Sequence, residues 1–82
     1  MIMNYPEVTN VWIDDVAVYI QTKNGAVLHR EFSDFPLLRN ATSAQRADFE
    51  WGKIGIRWDA IDEDLSYKGF TPKKERKVAA ML

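Results

Sequence analysis

Asp59, Asp62, Glu63 and Asp64 form the densest group of chemically active side chains in this sequence. Carboxylates so close together could offer oxygen ligands to a hard cation such as Ca²⁺ or Mg²⁺. Their spacing is not that of an EF-hand loop, which requires a glycine and a terminal glutamate at fixed positions. Carboxylates also gather where a helical turn begins, capping backbone donors and opposing the helix dipole. That structural role outweighs a metal site, so neither metal nor cofactor is expected. The same residues suit a third task, an acidic edge that meets a basic protein with neighbouring Trp58 as a buried anchor. Trp58, Asp62, Glu63 and Asp64 are therefore the candidate partner-binding residues.

Other chemistry finds less support. The sole histidine, His29, would need a nucleophile or an orienting carboxylate within hydrogen-bond reach to act as a base. A solvent-facing histidine on a strand is the simpler account. Ser33, Ser43 and Ser66 lie in no nucleophile-elbow context. No phosphate-binding loop, dinucleotide fingerprint or zinc-protease pattern occurs, and no enzyme is expected. Lys73, Lys74, Arg76 and Lys77 make the one basic run. They supply the alternative function, a nucleic-acid-associated regulatory domain, against the plainer role of a solvated helix face. Of the three tryptophans, Trp58 shares a face with Ile54 and Ile56 and belongs to the core. Trp51 is expected to cover the sheet. Trp12 shares a face with Val8 and Asn10, and its role stays open.

The totals narrow the setting. The chain has 82 residues, 46% of them hydrophobic, and a net charge of −1. That suffices for one small core, with a stability margin of about 3–5 kcal/mol. A homo-oligomer that shares an apolar face would enlarge it. The balance of charge argues against a nucleic acid as partner. The absence of cysteine excludes disulfides and fits a reducing, cytoplasmic setting. The start of the chain lacks the pattern of a signal peptide, and no apolar run is long enough for a membrane span.

The elements that must position these residues begin with Val8–Ile13, rich in β-branched and aromatic residues. Val16, Val18 and Ile20 then alternate on one face of a second strand. Asn24-Gly25 predicts a two-residue hairpin turn, with Ala26 to Phe32 pairing back. Phe35-Pro36-Leu37-Leu38 makes a short helical turn. Thr42 with Gln45 reads as a capping box for a helix over Ser43–Phe49. Ile54, Ile56 and Trp58 alternate on another strand, and Asp62 caps a single helical turn through Leu65. Thr71-Pro72 opens a last helix, with Val78, Met81 and Leu82 on one face.

Phe35-Pro36-Leu37-Leu38, Asn40-Ala41-Thr42, Gln45-Arg46-Ala47, Gly55-Ile56-Arg57-Trp58 and Asp62-Glu63-Asp64-Leu65 together carry a resemblance. The chain resembles family 2442 of the bacterial domains of unknown function over about residues 8–69. Arg57 stands where many relatives have histidine, and the basic tail lies outside the signature. The resemblance implies a small domain around an antiparallel sheet, with no established activity. It also implies an association, in some relatives, with a helix-turn-helix module or with a neighbouring protein in a toxin–antitoxin pairing. No helix-turn-helix is evident in this sequence.

The expectation is an α+β fold in a single domain over residues 1–82. A hairpin-based antiparallel meander would be covered by short helices, with a C-terminal helix over residues 70–82. The expected function is a non-catalytic protein-interaction module, antitoxin-like, that masks a basic, toxin-like neighbour.

Overall fold

Two antiparallel sheets carry the chain in this computed structural model, which describes residues 6–72. In chain order the elements are β1 (Val8–Ile13), β2 (Ala17–Thr22), β3 (Val27–Glu31), α1 (Pro36–Arg39), α2 (Ser43–Ala47), β4 (Glu50–Trp51), β5 (Gly55–Trp58), β6 (Glu63–Ser66) and β7 (Thr71–Pro72). The first sheet has the order β1-β2-β3-β7 and the second β4-β5-β6. The α+β character holds, but the expected single sheet under helices does not. Helices of four and five residues are too short to cover a sheet, and the second sheet supplies the opposing layer.

Residues of both sheets join in one apolar cluster. Val11, Val18 and Ile20 from the first meet Ile56, Trp58 and Leu65 from the second, with Phe32, Leu38, Tyr67 and Phe70 from the connections. Seven of the largest side chains, from Trp58 down to Val18, are essentially inaccessible to solvent. Full burial of side chains this size contributes about 1.5–3 kcal/mol each before the entropy of ordering is subtracted.

Alternation works where the strand is regular and fails at its ends. Val18 and Ile20 are fully buried, whereas Val16 is exposed. The Asp14 carboxylate accepts the backbone N–H groups of Val16 and Ala17 at 2.9 Å each. That turn leaves Val16 outside β2. In β1 a bulge between Val8 and Asn10 interrupts the period of two. Val8 consequently packs against the core, while Trp12 lies on the opposite face and stacks on Tyr19 at 5.7 Å.

The hairpin forms at Asn24-Gly25, with a three-residue loop in place of the expected two. Gly25 donates to the Thr22 carbonyl, and Thr22 donates to that of Ala26, each at 2.9 Å. Gly25 alone takes the positive φ, at 93°. A type I turn closed by a glycine bulge has this pattern.

Downstream, Thr42 caps α2 as its sequence predicts. Its hydroxyl accepts from Gln45 N–H at 3.1 Å, and the Gln45 side chain accepts from Thr42 N–H at 2.9 Å. The helix stops at Ala47, short of Phe49, whose ring instead packs on Trp58 at 5.9 Å. Arg46 ties the neighbouring segments together. It donates to the carbonyls of Leu38 at 2.9 Å, Arg39 at 3.0 Å and Asp15 at 3.2 Å. The Leu38 carbonyl also accepts from Ala41 N–H at 3.2 Å, so Arg46 adds a second donor at the end of a four-residue helix, where carbonyls lack intrahelical partners.

The largest departure follows Trp58. No helical turn starts at Asp62. A short 3-10 turn over Asp59–Ile61 ends at Asp62, which takes the left-handed conformation at φ 55°. The chain then returns as β6, pairing Arg57 with Asp64 and Trp58 with Glu63. Aspartate tolerates that conformation better than most residues. Ile54 precedes β5 and is exposed, although Ile56 and Trp58 are buried. Thr71 and Pro72, expected to open a helix, are themselves strand. They pair with His29 and Leu28 of β3. The remainder of the expected C-terminal helix lies outside the described residues. No described helix is long and apolar enough to cross a membrane.

Candidate functional site

Arg57 lies between two buried neighbours, Ile56 and Trp58, so the strand's period of two turns it outward. There three carboxylates meet its guanidinium. Nε contacts Asp59 Oδ1 at 2.5 Å, Nη1 contacts Asp64 Oδ2 at 2.7 Å, and Nη2 contacts Asp62 Oδ1 at 3.5 Å. Each acid arrives by its own route. Asp64 is the cross-strand partner of Arg57, Asp59 leaves the end of β5, and the left-handed turn delivers Asp62. Glu50 of β4 is the partner of Arg57 on its other side and is also exposed.

The hydrogen bond from Asp59 and the charges of Asp59, Asp64 and Asp62 hold the Arg57 guanidinium above its ordinary pKa. These groups are well exposed, and ion pairs screened by solvent add little to stability. The network therefore matters less for holding the fold than for fixing where charge sits. Three carboxylates around one guanidinium leave a net charge of −2 on this face. Beside Arg57 and Asp64 a shallow groove of about 260 Å³ runs over Gly55, with Lys53 and Ser66 on its rim.

The structure divides the residues singled out in the sequence. Asp62 and Asp64 come together on this face. Glu63 points toward the other side, opposite Trp58 and half-buried, and its carboxylate accepts from Asp64 N–H at 3.0 Å. Trp58 has no solvent exposure, and its indole donates to the Arg46 carbonyl at 2.9 Å. It anchors the core and cannot anchor a partner. Lys73, Lys74, Arg76 and Lys77 lie outside the described residues. Sequence reasoning missed Arg57 and Glu50, and it named Asp59 in the acidic cluster but left it out of the partner-binding set. The signal was the outward position of Arg57 between two apolar residues, legible once β5 and β6 are known to pair.

The remaining candidates are engaged elsewhere. His29 stacks on Tyr19 at 6.0 Å, and its Nδ1 lies 3.1 Å from the Thr71 carbonyl. The Ser66 hydroxyl accepts from Lys68 N–H at 3.2 Å. Trp51 stands on the edge strand β4 and is 42% exposed. Among the described residues no group of three histidine, cysteine, aspartate or glutamate side chains is arranged to hold a metal.

The motif residues mostly build the fold. Leu38, Ile56, Trp58 and Leu65 fill the core, Thr42 and Gln45 cap α2, and Arg46 fastens three carbonyls. Gly55 permits a close strand approach, since a Cβ there would collide with the Leu65 carbonyl oxygen. What the fold and the site define is a small two-sheet α+β module with an ion-paired acidic face. The chain belongs to the family described as "Protein of unknown function (DUF2442)", whose model matches residues 8–72. No curated protein and no solved structure gives a significant match.

Proposed function

We propose that this chain is a non-catalytic protein-interaction module, antitoxin-like, whose acidic face on the second sheet receives a basic protein partner. The observation that carries the reading is the clamp of Asp59, Asp62 and Asp64 on Arg57. Free surface carboxylates lose conformational freedom on binding. These are already ordered by one guanidinium, so less of that cost falls at the moment of association. The net negative charge speeds encounter with a basic surface and selects for it. The adjoining groove over Gly55 offers room for a side chain beside the charges.

A non-catalytic role is supported by the engagement of His29 in the fold and by the structural use of most motif residues. A cytoplasmic setting, in a chain without cysteine, belongs to the same proposal. The test is co-expression and co-purification with the product of the adjacent gene. A stable complex near one-to-one is expected, dissociating as salt is raised. A chain that purifies alone, or one that instead retains DNA or RNA at low salt, would refute the reading.

A further inference from the structure

The arginines of the described chain are mostly well supplied with acceptors. Arg39 bonds the Ser33 carbonyl, Arg46 holds three carbonyls and Arg57 three carboxylates. Arg30 differs. It is half-buried, yet none of its side-chain N–H groups meets a protein acceptor among the described residues. It is nonetheless held in place. Its Cζ lies 4.6 Å from the centroid of the Phe35 ring, within cation–π range, which restrains the head of the side chain. Its Nη1 lies against Gly69, where any Cβ would collide with it. The same hypothetical Cβ would stand 3.1 Å from Cζ and 3.9 Å from Nε, with Nη2 farther still. The Nε–Nη2 edge is thus on the far side from Gly69.

We propose that Arg30 is an oxyanion-binding residue, presenting its Nε–Nη2 edge to a carboxylate side chain of a protein partner. Two parallel N–H donors in one plane match a carboxylate's two oxygens. Phe35 and Gly69 order the side chain beforehand, which removes much of the entropic cost of forming that fork. Glu31 is the next residue, but the strand's alternation sends it to the opposite face, where it lies 3.9 Å from His29 Nε2. The chain's net charge of −1 disfavours a polyanion and favours an isolated carboxylate. This site is separate from the acidic face and stands or falls independently of it.

The experiment follows the arginine Nε–Hε resonances of the full chain by ¹H–¹⁵N spectroscopy. Sodium acetate is added against sodium chloride at matched ionic strength, with inorganic phosphate as a second arm. The Arg30 resonance is expected to shift saturably with acetate, and that of Arg39 to shift about tenfold less. Gly69→Ala should abolish the saturable Arg30 shift. Arg30→Lys keeps the charge but neither the fork nor the Nε–Hε probe, so it is read at the backbone N–H groups of Phe35 and Gly69, whose saturable response to acetate in the parent should vanish. That readout decides the matter if Gly69→Ala does not fold. An Arg30 resonance that moves no more than that of Arg39 would overturn the site. Phosphate binding about tenfold tighter than acetate would overturn the carboxylate assignment.

Discussion

Replacing Gly55 by alanine should unseat the β5–β6 hairpin that carries the acidic face. The added Cβ would collide with the Leu65 carbonyl oxygen and come within 3.2 Å of Leu65 C and 3.3 Å of Ser66 Cα. All three are backbone atoms in the paired strand, so no flexible side chain can swing away. The backbone of Gly55 itself has no positive φ, so the penalty is steric and not conformational. Overpacking costs about 1–3 kcal/mol, and a clash with backbone that cannot swing away falls in its upper part, about 2–3 kcal/mol, against which alanine recovers about 0.5–1 kcal/mol of glycine's entropy. A net loss of about 1–2 kcal/mol is a large part of the margin of a domain this small. It corresponds to a Tm lower by roughly 5–15 °C. Denaturant unfolding followed by tryptophan fluorescence reads it, with Gly52→Ala as the control. A Cβ at Gly52 meets nothing within 4 Å, and that variant should stay within about 0.5 kcal/mol of the parent. Gly55→Ala as stable as Gly52→Ala would refute the close-approach argument.

Thr42→Ala removes the cap on α2 and should cost about 1 kcal/mol, measured by urea unfolding. Arg57→Gln breaks three exposed ion pairs and should leave the urea midpoint almost unchanged, a much smaller effect than that of Thr42→Ala in the same assay. Burial pushes the Tyr67 hydroxyl up to about 12, above the value near 10 of an unfolded chain. The unfolded state therefore loses its proton first. Stability is complete below about pH 10 and falls as pH rises toward about 12, a slope that Tyr67→Phe should flatten in alkaline unfolding curves.

Much of the fold was legible because its signals are local. Thr42 and Gln45 sit three residues apart and form their capping box without help from the rest of the chain. Val18, Ile20, Ile56 and Trp58 declare the core by alternation. What was not legible depends on pairing between distant segments. The acidic residues at Asp62–Asp64 resemble a helix start when read alone, but Leu65 and Glu63 are drawn into a strand by Ile56 and Trp58. Thr71-Pro72 carries a helix-start signal, yet it pairs with β3. The bulge near Thr9 moved Val8 and Trp12 to opposite faces, a change no periodicity reveals. Trp58 was placed correctly in the core by its alternation, and that placement removes it from the partner-binding set. Arg57 joined the site for the converse reason. Its role exists only once the β5–β6 hairpin closes and brings Asp59, Asp62 and Asp64 around it.

The most direct test of the acidic face is the affinity of the chain for the product of the adjacent gene, the basic partner we propose, with and without the charges. Asp59→Asn, Asp62→Asn and Asp64→Asn combined keep the shape of each side chain and release Arg57 from its clamp. Binding is measured by calorimetry at low and at moderate salt, after circular dichroism has shown the fold unchanged. The account predicts that affinity falls at least about a hundredfold, or ~2.7 kcal/mol, and that most of the salt dependence disappears with it. A folded triple variant that binds as tightly as the parent, with the same salt dependence, would contradict it.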